Sequence, residues 1–370
     1  MQCLPNVGKA RSRSVLIVIA LASVLGSSFA AGVASAGEEP CVRVAFVYDN
    51  ETKTPGFQHG QKVGENYMRK KLPCAEVKAV ESIPEGPGSL PTFEQLVDEG
   101  YELIFANSFG YGDQLLEVAA DNSDVKFEHA VGFRTADNLS TFYGARFEGW
   151  YLQGIAAADA SESGQLGVIA PFPIPSIISD INGFTLGARS VNPDATVQVV
   201  FTNAFEDAIK DKQAAEALLD DGIDYLAQMS GSPSVGSVAE ENDIPWNGAD
   251  DPKVKSFGPS TYVGAPYLKW GHYFLQEAQA VIDGTWESQG YLGTIADKFV
   301  AFHVGTIPKN VVADIKAKKA EIADGTLVVF AGPITAQDGS VLVPEGQFAE
   351  FDVITTIFVE GVIGEIPQQG

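Results

Sequence analysis

Apolar residues along this chain come in short continuous runs separated by longer stretches of helical period. Residues 42–48, 77–80, 103–107 and 126–131 read as strands, mostly of the kind buried on both faces. Between them, residues 57–71 place Val63, Tyr67 and Met68 on one helical face. Residues 92–99 read as a helix opened by a Thr cap, and 114–120 as another. Residues 142–160 read as a single long helix rich in Ala and aromatics. Strands alternating with helices predict a parallel sheet covered by helices.

The rhythm then restarts. Strands are predicted at 166–170, 196–201, 225–230 and near 244–247, and helices at 177–190, 207–221 and 234–241. Two α/β units of similar size in tandem predict two lobes facing each other. The later elements, a helix at 269–283, a strand at 299–303 and a helix at 308–323, are too few for a third domain. They read as the chain crossing back between lobes. The expected division is residues 37–160 plus 266–298 for lobe 1 and 161–265 plus 299–370 for lobe 2.

The N-terminus reads as an export signal over residues 1–36. Lys9, Arg11 and Arg13 precede an apolar run from Val15 to about Leu25, and Ala34-Ser35-Ala36 offers a small-residue cleavage site. The alternative is an uncleaved anchor, against which stands an apolar core shorter than the roughly 20 residues a spanning helix needs. Cleavage removes three positive and no negative charges, taking the formal net charge from −24 to −27. So acidic a surface repels nucleic acid and anionic lipid. The mature chain of roughly 330 residues fits two domains. It keeps Cys41 and Cys74, each just before a strand. At neighbouring strand starts they would sit about 5 Å apart, within reach of a disulfide in an oxidising compartment. The alternative is two unpaired thiols.

Ligands of open α/β sheets bind beyond the carboxyl ends of the strands. The corresponding loops here, 49–56, 108–113, 132–138, 171–175, 203–207, 230–233 and 247–251, are rich in aromatics and small polar residues. That composition suits a flat polar ligand. Catalytic signatures are lacking. The four His (His59, His129, His272, His303) have no metal-ligand spacing, so neither a metal nor a cofactor is expected. His129, in an apolar run, reads as structural. Asn107-Ser108-Phe109-Gly110 lacks the first Gly of a nucleophile elbow, and Gly110-Tyr111-Gly112 lacks the third Gly of a dinucleotide fingerprint. The chain reads as a binding protein, not an enzyme.

Several segments carry a family resemblance: Ile104-Phe-Ala-Asn-Ser-Phe-Gly-Tyr-Gly-Asp113, Val125-Lys-Phe-Glu-His-Ala-Val-Gly132, Ala145-Arg-Phe-Glu-Gly149, Phe172-Pro-Ile-Pro175, Ile181-Asn-Gly-Phe184 and Asp283-Gly-Thr-Trp286. Gly332-Pro-Ile334 with Asp338-Gly339 looks like a terminal hairpin of the same family. Together they resemble the basic membrane protein family of substrate-binding proteins, in its branch associated with purine bases and nucleosides. The resemblance implies a type I periplasmic-binding-protein fold, with two Rossmann-like lobes joined by a three-stranded hinge. It also implies partner ABC permease and ATPase subunits, and with the export signal a periplasmic protein, for which a monomer is the default; a ligand-presenting sensor or a binder of another solute, such as a sugar, would use the same cleft. The family clamps a flat ring between aromatics of the two lobes, which points to Phe57 and Phe205. Asp49, Ser108, Tyr111, Ser230 and Asp250 are candidates for its polar edges, although Asp49 and Asp250 could equally cap helices. Phe109 and Trp270 complete the candidate set. Three departures from the branch bear on ligand identity: Thr54-Pro-Gly-Phe57 in place of an aromatic-rich stretch, Gly231 where an acid is usual, and Leu268 ahead of Trp270-Gly271.

Overall fold

A computed structural model describes residues 39–367, and the expected export signal over 1–36 lies outside the described residues. The first sheet is built from β1 (Arg43–Val47), β2 (Glu76–Val80), β3 (Leu103–Ala106), β4 (Lys126–Ala130) and β5 (Leu139–Gly144). Helices α1 (Phe57–Lys71), α2 (Leu90–Asp98) and α3 (Gly112–Asp121) connect them. After β5 come α4 (Arg146–Ala160), β6 (Gln165–Ala170), α5 (Pro175–Val191), β7 (Thr196–Phe201), α6 (Ala208–Asp220) and β8 (Tyr225–Gln228). Then follow α7 (Ser234–Glu241), β9 (Trp246–Asn247), β10 (Tyr262–Leu268), α8 (Trp270–Asp283), β11 (Gly290–Gly293), β12 (Val300–Val304) and α9 (Lys309–Ala323). A short hairpin, β13 (Ile334–Thr335) and β14 (Val341–Val343), and a last strand, β15 (Val362–Ile363), end the described chain.

Two sheets result, ordered β11-β5-β4-β3-β1-β2 and β12-β10-β9-β8-β6-β7-β15. Every pairing within them is parallel except β10 with β12. The chain crosses between the sheets three times, from β5 to α4, from β10 to α8 and from β11 to β12. This is the two-lobed α/β fold expected from the alternating pattern.

Two expectations are corrected. The long helix read over 142–160 is a strand ending at Gly144 followed by a helix starting at Arg146. The run of aromatics and Ala is apolar throughout, so periodicity alone did not separate the two. The division at residue 160 also moves, because α4 packs on α5, β10 and α9 of the second lobe. Gly154 and Gly187 make that packing possible, since a Cβ on either would come within 2.0 Å of a backbone carbonyl of the facing helix. The second boundary moves too: β10 belongs to the second sheet, so the crossing lies at Lys269 rather than 266. Pro266 sits inside β10 and hid that strand from a pattern reading.

Cys41 and Cys74 form a disulfide with Cα atoms 5.4 Å apart. Parallel register brings them together, Cys41 N–H donating to the Cys74 carbonyl (3.1 Å) just ahead of the Arg43–Glu76 pair. The bridge closes a sequence separation of 33 residues. Loop-closure entropy predicts that the Cys41→Ser/Cys74→Ser double variant is about 3–4 kcal/mol less stable. Urea unfolding of the oxidised wild type and the variant checks this, and coincident midpoints would refute it.

Buried acids fix α8 on the first sheet. Glu128 of β4 is fully buried and accepts from Tyr273 Oη and Trp286 Nε1, both at 2.8 Å. Burial, and then the neighbouring Glu277 carboxylate, push the Glu128 pKa well up; burial pushes Glu277 up to about 7. A carboxyl whose folded pKa exceeds its unfolded value holds its proton more tightly in the native state. Its contribution is therefore complete at low pH and is lost as pH rises from about 4.5 through about 7. Glu277→Gln is expected to flatten the decline of Tm across that window and to raise Tm at pH 8, read by calorimetry. An unchanged slope would contradict the assignment.

Candidate ligand-binding cleft

The carboxyl ends of both sheets enclose a cavity of about 810 Å³, space at its open mouth included. The first lobe contributes the loop after β1 (Asp49, Asn50, Glu51, then Thr54 to Gln58), Ser108 and Phe109 after β3, Val131 after β4 and Tyr143 of β5. The second contributes Ile174, Ser176 and Ile177 at the start of α5, Phe205 and Glu206 after β7, Met229 to Gly231 after β8, and Asp250 after β9. Arg146, at the first crossing, completes the floor. It is the single basic side chain in the lining, against four acids, Asp49, Glu51, Glu206 and Asp250.

Each aromatic is held by neighbours rather than by the cavity. Phe57 opens α1, and its ring meets Trp270 edge-on at 5.7 Å and 89°. Phe205 packs against Phe172 at 4.9 Å, and its carbonyl accepts from Gly231 N–H at 2.8 Å. The Ser108–Phe109 loop is pinned from behind by His129, whose Nε2 lies 3.0 and 3.1 Å from the carbonyls of Ser108 and Phe109. Two acceptors require Nε2 to carry the proton, and burial lowers the imidazole pKa to about 4, so the ring is neutral. The structural reading of His129 thus gains a positioning role.

The floor is a buried charge cluster. Arg146 Nε lies 3.0 Å from Asp180 Oδ2, and Nη1 lies 3.1 Å from Asp250 Oδ1 and donates to Tyr143 Oη at 2.9 Å. Burial pushes Asp180 up to about 7 and raises Asp250, while the guanidinium opposes both shifts. Asp49 also rises to about 7, through burial and then the nearby Glu85 charge, although Gln58 Nε2 donates to it. Ser108 Oγ donates to Glu85 at 2.6 Å. Two lining residues carry backbone conformations that L residues rarely adopt: Val131 at φ 62° and Asp250 at φ 68°. Both are held by strand-edge bonds, Val131 N–H to the Phe142 carbonyl (2.9 Å) and Asp250 N–H to the Pro266 carbonyl (2.8 Å). Strain in this position, fixed by its surroundings, is characteristic of functional sites.

Of the nine residues singled out beforehand, seven line the cavity: Asp49, Phe57, Ser108, Phe109, Phe205, Ser230 and Asp250. Two do not. Tyr111 is fully buried beneath the first sheet, edge-on to Phe93, with its hydroxyl donating to the Ile83 carbonyl at 2.7 Å. Trp270 is buried behind Phe57 and supports that ring instead of facing the cavity. Tyr143 and Arg146 also line the cavity and lie outside the sequence candidates, because the strand that carries Tyr143 falls within the stretch whose pattern predicts a helix. A lone Arg opening an otherwise apolar helix was the available signal, since buried guanidinium demands acidic partners. The departures also separate. Thr54 to Phe57 and Gly231 line the cavity, whereas Leu268 is a core residue packed on Gly144.

The two lobes also meet directly. His59 Nδ1 of α1 lies 2.6 Å from Asp251 Oδ2, and Lys253 Nζ lies 3.3 Å from His59 Nε2. A Cβ at Gly60 would stand 2.6 Å from the Asp250 carbonyl, so only glycine admits this approach.

A two-lobed α/β frame with its cavity at facing strand ends is the architecture of the periplasmic-binding-protein fold. The profile of the family described as ABC transporter substrate-binding protein PnrA-like matches residues 41–337, and the chain belongs to that family. It is 36% identical over 358 residues to a purine-binding protein of Brucella abortus (strain 2308), covering 94% of this chain and 99% of that one. A putative ABC transporter glucose-binding protein of Haloferax volcanii is 31% identical over 332 residues, covering 89% and 82%. The solved ABC transporter solute-binding protein of Conexibacter woesei superposes with a TM-score of 0.64 at 20% identity, covering 78% of this chain and 98% of that one.

Because the His59–Asp251 contact exists only when the lobes are together, it stabilises the state that encloses a ligand. His59→Ala is expected to speed ligand release about tenfold, a loss on the order of 1–2 kcal/mol, with little change in Tm. Stopped-flow dissociation checks this; an unaltered off-rate would show that the pair plays no part in closure.

Proposed function

We propose that the protein binds a planar purine, as free base or nucleoside, between its lobes and delivers it to an ABC permease and its ATPase subunits. The observation that carries this reading is the pair of aromatics, Phe57 at the start of α1 in the first lobe and Phe205 after β7 in the second, lining one cavity. An aromatic from each lobe suits a flat ring, whose two faces would be covered only when both lobes engage. The lining supports an uncharged ligand: four acids face one Arg, and that Arg already lies against Asp180 and Asp250, so a phosphate would find no free cation there. Ring N–H and amino groups have acceptors in Asp49 and Asp250. The purine-binding relative supports the same choice.

The protein acts by binding alone, with no chemical step. No cluster of His, Cys, Asp and Glu among the described residues could hold a metal ion, and no described helix is long and apolar enough to cross a membrane. The family of ABC transporter substrate-binding proteins and the expected signal over 1–36 support a periplasmic location, with a monomer as the default. A sugar is the second reading. It is favoured by the glucose-binding relative and by acid side chains able to accept from hydroxyls.

A thermal-shift panel of adenine, guanine, hypoxanthine, their nucleosides and glucose separates the two readings, since a ligand of the native state must raise Tm. A shift with purines is expected, and shifts confined to glucose would replace the purine reading. Phe57→Ala and Phe205→Ala should each weaken purine binding by about 1–3 kcal/mol in calorimetric titration. Unchanged affinity in both variants would dismiss the aromatic clamp.

A further inference from the structure

A second cavity, of about 890 Å³ with its open mouth included, adjoins the first and shares Phe109, Val131, Tyr143 and Ser176 with it. Its far wall is Phe133, which follows β4, and Tyr291 and Leu292 on the edge strand β11. Pro175 closes it from the second lobe.

The chemistry differs from that of the main cavity. Apart from tyrosine hydroxyls, the lining holds no ionisable side chain, and Thr141 and Ser176 are its other polar side chains. A ribose or phosphate there would leave most of its oxygens without partners, at a cost that apolar contact does not offset. The wall is also unusually apolar for a surface: Phe133 is 72% exposed and Leu292 46% exposed. Both have neighbours that orient them. Phe133 lies against Phe109 at 6.1 Å and under the Arg134 guanidinium at 5.4 Å. Leu292 lies in register with Tyr143 on β5, and its neighbour Tyr291 stacks on Tyr273 at 4.7 Å. An apolar surface beginning where the main cavity ends is suited to one part of a ligand whose polar part sits in that cavity.

We propose that this annex receives an uncharged hydrocarbon substituent, of aryl or prenyl size, carried by the purine base in the main cavity. The inference rests on the purine reading and narrows the substrate class to bases substituted with an apolar group. Removing such a group from water against this wall favours the substituted base over the bare one.

The test is calorimetric titration of adenine, N6-benzyladenine and 9-benzyladenine into the wild type and the variants Leu292→Asp and Phe133→Asp. Both positions are exposed and outside the main cavity, so the variants should fold and keep adenine affinity within about twofold. At least one benzylated base is expected to bind the wild type ~10-fold more tightly than adenine, and the aspartates to abolish that gain. Adenine binding without any benzyl advantage, or an advantage that survives both aspartates, would overturn the annex and leave the purine reading standing. Failure of all three bases to bind would overturn the annex as proposed, and silence of guanine, hypoxanthine and the nucleosides in the thermal-shift panel would then remove the purine reading as well.

Discussion

One buried guanidinium ties the parts of this molecule together. Arg146 stands where the chain first leaves one lobe for the other, and its partners come from three places: Tyr143 on the last strand before the crossing, Asp180 on α5 and Asp250 after β9. Removing a guanidinium from water is costly unless its charge is countered, so these elements must arrive in one arrangement. That arrangement sets the floor of the cavity. It also neutralises the one positive charge there, and the ligand consequently meets a surface short of free cations.

Around this floor the aromatic side chains divide into those that face the cavity and those that hold them. Trp270 and Phe172 lie behind Phe57 and Phe205, and His129 lies behind Phe109. An aromatic wall on a loop would lose its advantage if the loop had to be ordered at each binding event. Here the second layer has met that entropic cost during folding. The strained backbones of Val131 and Asp250 belong to the same design, because the strand-edge bonds that hold them also fix where the lining begins.

The glycines at the lobe and helix contacts act through absence of bulk. At Gly60 the first helix touches the Asp250 carbonyl, and at Gly154 and Gly187 two helices of the second lobe meet backbone to backbone. The first governs how closely the lobes approach, and the others bind α4 to the second lobe. The neighbouring His59–Asp251 pair adds a polar contact between lobes outside the cavity lining.

The alternation of apolar runs and helical stretches determined the α/β class, the two-lobed plan and the loops that carry the cavity, because a strand buried on both faces has to be apolar wherever the chain folds back. Cysteine placement ahead of two such strands identified the pair that parallel register joins. What the sequence left open was decided by contacts between distant segments. Nothing local distinguishes Tyr143 in a strand from Tyr143 in a helix, and only the neighbouring β4 and β11 settle it. Tyr111 and Phe109 stand two residues apart in the same loop, yet one points into the core and the other into the cavity. Trp270 reads as a site residue and Leu268 as a departure bearing on ligand identity, and packing on Phe57 and Gly144 made them support and core. Periodicity reports which residues avoid water. Which of them share a wall depends on how two sheets are set face to face, and that is a property of the tertiary structure alone.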